Sequence, residues 1–145
     1  MKKNIQFPIV AVLTVLMLSF GCKKTKDEAV SPTKENLAGT YKLLSIKVKT
    51  SGAAEEDVTD DYLETCQKDD LYKLNTDLTY LYVDAGTTCD PEGDYQDVWQ
   101  LAGNVISFDG WNFTIQKFDG KNLVGSETIT QQGITVVITG SFQKQ

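Results

Sequence analysis

A chain of 145 residues with 20 acids, 14 lysines, no arginine and no histidine carries a net charge of −6 at pH 7. The length suits one domain with a real but small core. The acidity excludes nucleic-acid binding through Lys and Arg on phosphates, and the missing histidine excludes Ser-His-Asp and Cys-His nucleophile activation.

The first residues read as an export signal, not as fold. Lys2 and Lys3 precede an apolar run from Phe7 to Phe20. As a helix that run reaches about 21 Å, short of the roughly 30 Å hydrocarbon core of a bilayer. Residues 1–21 therefore read as a signal peptide. Ser19-Phe20-Gly21-Cys22 ends it, and a small residue directly before a cysteine resembles the bacterial lipobox. The resemblance implies lipidation at Cys22. The alternative is an ordinary signal peptide or signal anchor with an incidental cysteine. Cleavage before Cys22 leaves 124 residues with 12 lysines against 20 acids, a net charge of −8.

Residues 22–36 are polar, charged and without apolar periodicity, and read as a lipidated cysteine followed by a flexible tether. The domain is expected over 37–145. Leu44, Ile46 and Val48 alternate with Ser45, Lys47 and Lys49, the period of a half-buried strand. Glu55 to Glu64 has apolar residues near helical spacing, with Asp57 as a candidate N-cap, and reads as one short acidic helix or a loop.

The stretch from Cys66 to Cys89 reads as a β-hairpin, with Leu71 to Leu74 and Thr79 to Val83 flanking Asn75-Thr76-Asp77-Leu78. A two-residue loop at Thr76-Asp77 sets Leu74 against Thr79 and Tyr72 against Leu81. One face then carries Tyr72, Leu74, Leu81 and Val83, and the other Lys73, Tyr80 and Tyr82. The same register brings Cys66 within two residues of the position opposite Cys89. With Cys22 assigned to lipid, the other two cysteines of an exported chain read as one disulfide. Two separate buried thiols are the alternative.

Further strands follow at short intervals. Tyr95 to Leu101 is joined by Gly103-Asn104 to Val105 to Phe108, pairing Leu101 with Ile106 and Trp99 with Phe108 on one face. Trp111 to Gln116, Leu123 to Ile129, and Ile134 to Ile138 complete the count, separated by Asp109-Gly110, Asp119 to Asn122 and Gln131 to Gly133. Eight strands joined by tight turns predict an all-β, antiparallel, up-and-down eight-stranded barrel with one short helical segment. A two-sheet sandwich is the rival.

The chain also resembles the lipocalin-like lipoproteins of Bacteroidetes. Gly39-Thr40-Tyr41 stands where lipocalins open with Gly-x-Trp, so an aromatic is kept. A first strand, a short helical segment, Cys66 entering a hairpin, Cys89 after it and Trp99 on the next strand follow the small bacterial versions. Lys26-Asp27-Glu28 resembles their surface-export signal. The resemblance implies a lipocalin-like barrel, anchored by lipid to the outer membrane on its periplasmic or cell-surface side.

No catalytic constellation, cofactor motif or metal set stands out, and the chain reads as a non-enzyme. Asp90, Glu92, Asp94 and Asp97 are oxygen donors in one loop, but they lack EF-hand spacing. The candidate ligand-binding interior is Tyr72, Leu74, Leu81, Val83, Trp99, Leu101, Ile106 and Phe108. Either these fill the barrel or they line a pocket for a small apolar or amphipathic molecule entering beside Glu55 to Glu64. A filled barrel points instead to a surface interaction or inhibitor protein, and an acidic domain suits a basic target.

Overall fold

The computed structural model describes residues 30–90 and 93–145. The expected signal peptide, Cys22 and the first part of the tether lie outside the described residues. So does Glu92.

The described chain is an antiparallel barrel of ten strands rather than eight. They are β1 (Gly39–Thr50), β2 (Glu55–Asp57), β3 (Leu71–Leu74), β4 (Thr79–Val83), β5 (Tyr95–Val98), β6 (Gln100–Ala102), β7 (Val105–Phe108), β8 (Trp111–Phe118), β9 (Asn122–Gln131) and β10 (Ile134–Lys144). The order around the sheet is β5-β4-β3-β1-β10-β9-β8-β7-β6, with β2 pairing β1 off this path. The two sheet ends, β5 and β6, are separated in sequence only by Trp99. They are two halves of the stretch read above as one strand. The first half pairs with β4 and the second with β7, so the ring closes through the backbone at Trp99. The other extra strand, β2, lies inside the segment read as a helix or loop. Only Thr59–Tyr62 of that segment is helical (α2).

The hairpin β3–β4 is shifted by one residue from the expected register. Leu74 pairs with Tyr80, Lys73 with Leu81 and Tyr72 with Tyr82. The Asn75 N–H bonds the Thr79 carbonyl at 2.9 Å, which leaves a three-residue loop closed by Leu78 at φ 71°. Three-residue hairpins place their last loop residue in the left-handed region. Asp77 fixes the loop by accepting from the Thr79 N–H at 3.0 Å and hydroxyl at 2.7 Å. One extra loop residue turns every following side chain over. Tyr80 and Tyr82 are therefore buried, and Leu81 and Val83, expected inside, lie on the opposite face of β4, partly exposed.

A bulge at Leu44 makes a second correction. The pairing of β1 with β10 shifts between Leu43 and Ser45. Tyr41 and Leu43 thus pack on the core, Ile46 remains inside beyond the bulge, and Leu44 is 50 % exposed. Ile134 at the start of β10 is 55 % exposed, because β9 and β10 stay paired beyond the point where β9 stops pairing with β8. The last β8–β9 pair is Thr114 with Ser126, whereas β9–β10 pairing continues to Gln131 and Ile134.

The base of the barrel is plugged from the N-terminal side. Thr33 caps a single helical turn, Lys34–Leu37 (α1), by accepting from the Asn36 N–H at 3.2 Å. Leu37 is fully buried, and its carbonyl accepts the Tyr41 hydroxyl at 2.8 Å. Val30 already bonds the Phe118 carbonyl at 3.0 Å. The packed domain thus includes residues 30–36, which the sequence reading assigned to the tether.

Candidate functional site

The barrel axis is occupied by side chains. Tyr72, Phe108, Phe113 and Phe142 form a hub, with Phe108 and Phe142 centroids 5.6 Å apart and Tyr72 and Phe142 5.8 Å apart, edge to face. Such geometry suits the ring quadrupoles. Gly125 and Gly140 make room for it. A Cβ at Gly125 would stand 2.6 Å from the Phe113 Cβ, and one at Gly140 would stand 2.9 Å from the Phe142 ring.

Of the expected interior set, Tyr72, Leu74, Trp99, Ile106 and Phe108 are buried together in the core, and Leu101 packs against it partly buried. Leu101 faces Ile106 as expected. Leu81 and Val83 are replaced by Tyr80 and Tyr82. Trp99 is fully buried and tied down, with its backbone N–H on the Leu78 carbonyl at 2.9 Å and its indole N–H on the Asn75 carbonyl at 2.7 Å. Beside these rings the crevice at the mouth, lined by Leu43, Ile46, Tyr72, Trp111, Ile138 and Phe142 among others, has a volume of only about 20 Å³. That is room for one water-sized group.

A larger cleft of about 520 Å³ opens in the wall beside this crevice. Pairing of β1 with β3 ends at Lys42, and pairing with β2 begins at Lys47. Between them α2 closes the wall only in part, through the Thr59 hydroxyl, which accepts the Ile46 N–H at 2.9 Å. The cleft is lined by Lys42, Leu43, Leu44, Asp57, Thr59, Asp60, Leu63 and Lys68. Lys68 pairs with Asp60 at 2.8 Å. The Leu44 bulge shapes this opening, and nothing in the alternation of Leu44, Ile46 and Val48 signals it.

The disulfide joins Cys66, at the start of a short 3-10 turn (Cys66–Asp69), to Cys89, with Cα atoms 5.4 Å apart. The Glu64 carboxylate lies close to both sulfurs, but the sulfurs are bonded to each other and a metal takes the thiolate. Next to the disulfide, Asp70 is buried and accepts from the Tyr82 hydroxyl and from the Ala85 N–H, the latter at 3.0 Å. Asp69 accepts the Thr87 N–H at 3.0 Å and Asp94 the Asp84 N–H at 3.0 Å. These carboxylates thus organise the loop after β4. Across the seam between β5 and β7, Tyr95 donates to Asp109. Burial, and then the neighbouring Tyr95 hydroxyl, raise the Tyr80 phenol far above its ordinary range.

Comparison with protein-family models, curated proteins and solved structures gives no match to this chain. Among the described residues no helix is long and apolar enough to cross a membrane.

Proposed function

We propose that this protein is an exported, lipid-anchored, lipocalin-like domain whose filled barrel serves as a rigid scaffold for binding another macromolecule through its surface. The observation that carries the reading is the aromatic filling of the axis, which leaves about 20 Å³ where a carrier needs a cavity for its cargo. Ligand pockets for drug-sized molecules run to roughly 300–1,000 Å³. The chain supplies no histidine for acid–base work and an excess of acids, so the surface suits a basic partner, with an association that weakens as salt rises.

The lipid anchor rests on Gly21-Cys22 after a short apolar run. Val30 joins the barrel at the Phe118 end of β8, and α1 plugs the same end. An anchor at Cys22 would therefore turn the base towards the outer membrane and the mouth away from it, where a partner approaches.

The wall cleft of about 520 Å³ favours a second reading. A slender amphipathic molecule would lie along Leu43, Leu44 and Leu63 with its polar end near Lys42. Native mass spectrometry of the chain extracted from membranes separates the two. A mass equal to the lipidated polypeptide alone, with salt-sensitive binding to a basic protein, supports the scaffold reading. A stoichiometric small molecule lost on Leu63→Asp supports the second. A Cys22→Ala chain should leave the membrane fraction, and a wild-type chain without lipid mass removes the anchor.

A further inference from the structure

Three acids meet at the disulfide end of the β3–β4 hairpin, and part of their bonding capacity has no protein partner. The last pair of that ladder is Leu71 with Val83, so the next step sets Asp70 beside Asp84. Asp69 precedes Asp70 in the 3-10 turn that starts at Cys66. After Asp84 the chain turns through Ala85, Gly86 and Thr87 against these acids. The Ala85 N–H donates to Asp70 Oδ1 at 3.0 Å, and the Thr87 N–H to Asp69 Oδ2 at 3.0 Å. Gly86 has φ 65°, and a Cβ there would collide with the Asp69 carboxylate.

These hydrogen bonds do not use up the oxygens. Asp70, only 1 % exposed, is satisfied by the Tyr82 hydroxyl on one oxygen and the Ala85 N–H on the other. Both carboxylate oxygens of Asp84, and Oδ1 of Asp69, are buried and have no hydrogen-bond partner. Among the described residues no lysine forms an ion pair with Asp69, Asp70 or Asp84. A buried carboxylate with neither a donor nor a counter-charge is strongly destabilising, and native proteins pair such a group or give it a metal. The acids of the following loop and strand differ in this respect: Asp90, Asp94 and Asp97 are exposed to water.

We propose that Asp84 and Asp69 hold a calcium ion at the Asp84–Thr87 turn. Their unpartnered oxygens are hard anionic donors, the class that Ca²⁺ selects. The two cysteines nearby are bonded to each other and do not compete as soft ligands. Among the described residues no third acid brings an oxygen close enough to share the same ion with these two. Main-chain carbonyls and water therefore complete the sphere of about six to eight oxygens that Ca²⁺ takes. Mg²⁺ demands near-octahedral geometry and suits an irregular turn less well. Two carboxylates are a low ligand charge, so the affinity belongs in the range of roughly 10⁻⁴–10⁻³ M found for extracellular modules. Bound there, the ion ties the 3-10 turn to the loop after β4, in parallel with the disulfide.

The test uses the full chain with its disulfide intact. Ca²⁺ at roughly 10 mM should raise Tm by about 5 °C over the same chain in EDTA. Tb³⁺, a luminescent substitute for Ca²⁺, should emit on tyrosine excitation, because the Tyr82 hydroxyl bonds Asp70 beside the site, and added Ca²⁺ should quench that emission. Asp84→Asn keeps the size of the side chain and removes the charge. It should lose the Ca²⁺ response and yet be at least as stable as the wild type in EDTA, since the uncompensated carboxylate is gone. A carboxylate with a purely structural role would lose stability in EDTA as well, and that result overturns the proposal. Asp69→Asn should weaken Ca²⁺ at least about tenfold, whereas Asp97→Asn, at an exposed acid, should leave the response intact. A wild type with the same Tm in Ca²⁺ and in EDTA overturns the proposal. So does a Ca²⁺ response that survives both Asp84→Asn and Asp69→Asn.

Discussion

The indole N–H of Trp99 bonds the Asn75 carbonyl at 2.7 Å, and through it the strand that closes the barrel is fastened to the β3–β4 turn. Trp99 sits where the chain passes from pairing with β4 to pairing with β7. It is fully buried, so its loss removes both packing and the fastening. Trp99→Phe keeps a ring and removes one of the two hydrogen bonds the Asn75 carbonyl accepts, the other coming from the Leu78 N–H at 3.0 Å, a cost of about 0.5–1.5 kcal/mol. Trp99→Ala should cost about 3–5 kcal/mol. Urea unfolding followed by far-UV circular dichroism measures both. A Trp99→Ala chain within about 1 kcal/mol of wild type would mean that closure does not depend on this residue.

The filled interior makes an equally direct prediction at the two close-approach glycines. An alanine Cβ at Gly125 would meet the Phe113 Cβ at 2.6 Å, next to the backbone, where nothing can swing aside. Gly125→Ala should destabilise by about 1–3 kcal/mol through overpacking. At Gly140 the nearest atoms are ring ends of Phe142 and Phe113, at 2.9 and 3.1 Å, and rings can shift by tenths of an ångström. Gly140→Ala should therefore cost less than Gly125→Ala. Equal, negligible effects at both would mean a looser interior than the one described.

Much of this architecture is legible in the sequence because short strands and tight turns carry strong local signals. Gly103-Asn104 pairs Leu101 with Ile106, and Asp109-Gly110, with both residues at positive φ, pairs Phe108 with Trp111. The burial of Trp99, Ile106 and Phe108 follows from that register. The two misread strand faces share one cause, a single inserted residue. Leu78 adds one to the β3–β4 loop and exchanges the inner and outer faces of β4, and Leu44 adds one to β1, so that Tyr41 and Leu43 face the core before the bulge and Ile46 after it. A leucine at positive φ is uncommon, since its Cβ crowds the carbonyl, so Asn75 to Leu78 does not advertise a three-residue loop. The available clue was Asp77 two residues before Thr79, which closes the loop by side-chain bonds. The docking of α1 depends on Leu37 finding the barrel base, a tertiary contact that no local pattern carries.

Removing the disulfide should be costly in proportion to the loop it closes. Cys66 and Cys89 are 23 residues apart, and the chain-entropy relation gives about 3.5 kcal/mol for that span. The doubly substituted Cys66→Ser, Cys89→Ser chain should therefore unfold at markedly lower urea, with an unchanged denaturant slope if both end states keep their compactness. A non-reducing peptide map with two free thiols in the wild type would remove the basis of this prediction.

Acid should weaken the fold through its turns. The Thr59 hydroxyl and N–H hold the Asp57 carboxyl below its ordinary value, and the Thr79 hydroxyl and N–H do the same for Asp77. The Asn122 N–H and side chain, with the Lys121 N–H, depress Asp119 further. Each group binds its proton less readily folded than unfolded. Their stabilisation is thus complete above the unfolded carboxylate value near 4 and is lost as pH falls through the depressed folded values. Stability measured by urea should be flat from pH 7 to about 5 as far as these groups are concerned and then decline. Asp77→Asn and Asp119→Asn should each reduce the slope of that decline, and an unchanged slope in both would count against the turn carboxylates as its source.

Leu78 offers the sharpest test of the hairpin register, because it inverts a usual ranking. In most positions glycine is worse than alanine, since it loses more chain freedom on folding, by about 0.4–1 kcal/mol. Leu78 has φ 71°, where any residue with a Cβ is strained by about 1–2 kcal/mol. Its side chain nevertheless packs, partly buried, against the core, which explains why a leucine is tolerated there. Leu78→Ala loses that packing and keeps the strain. Leu78→Gly loses the packing but relieves the strain, which outweighs its extra chain entropy. Leu78→Gly should therefore be the more stable of the two by up to about 1 kcal/mol, although both fall below wild type. If the alanine variant is instead the more stable, Leu78 is not in the left-handed region. The loop would then have two residues, and Leu81 and Val83 would return to the interior in place of Tyr80 and Tyr82.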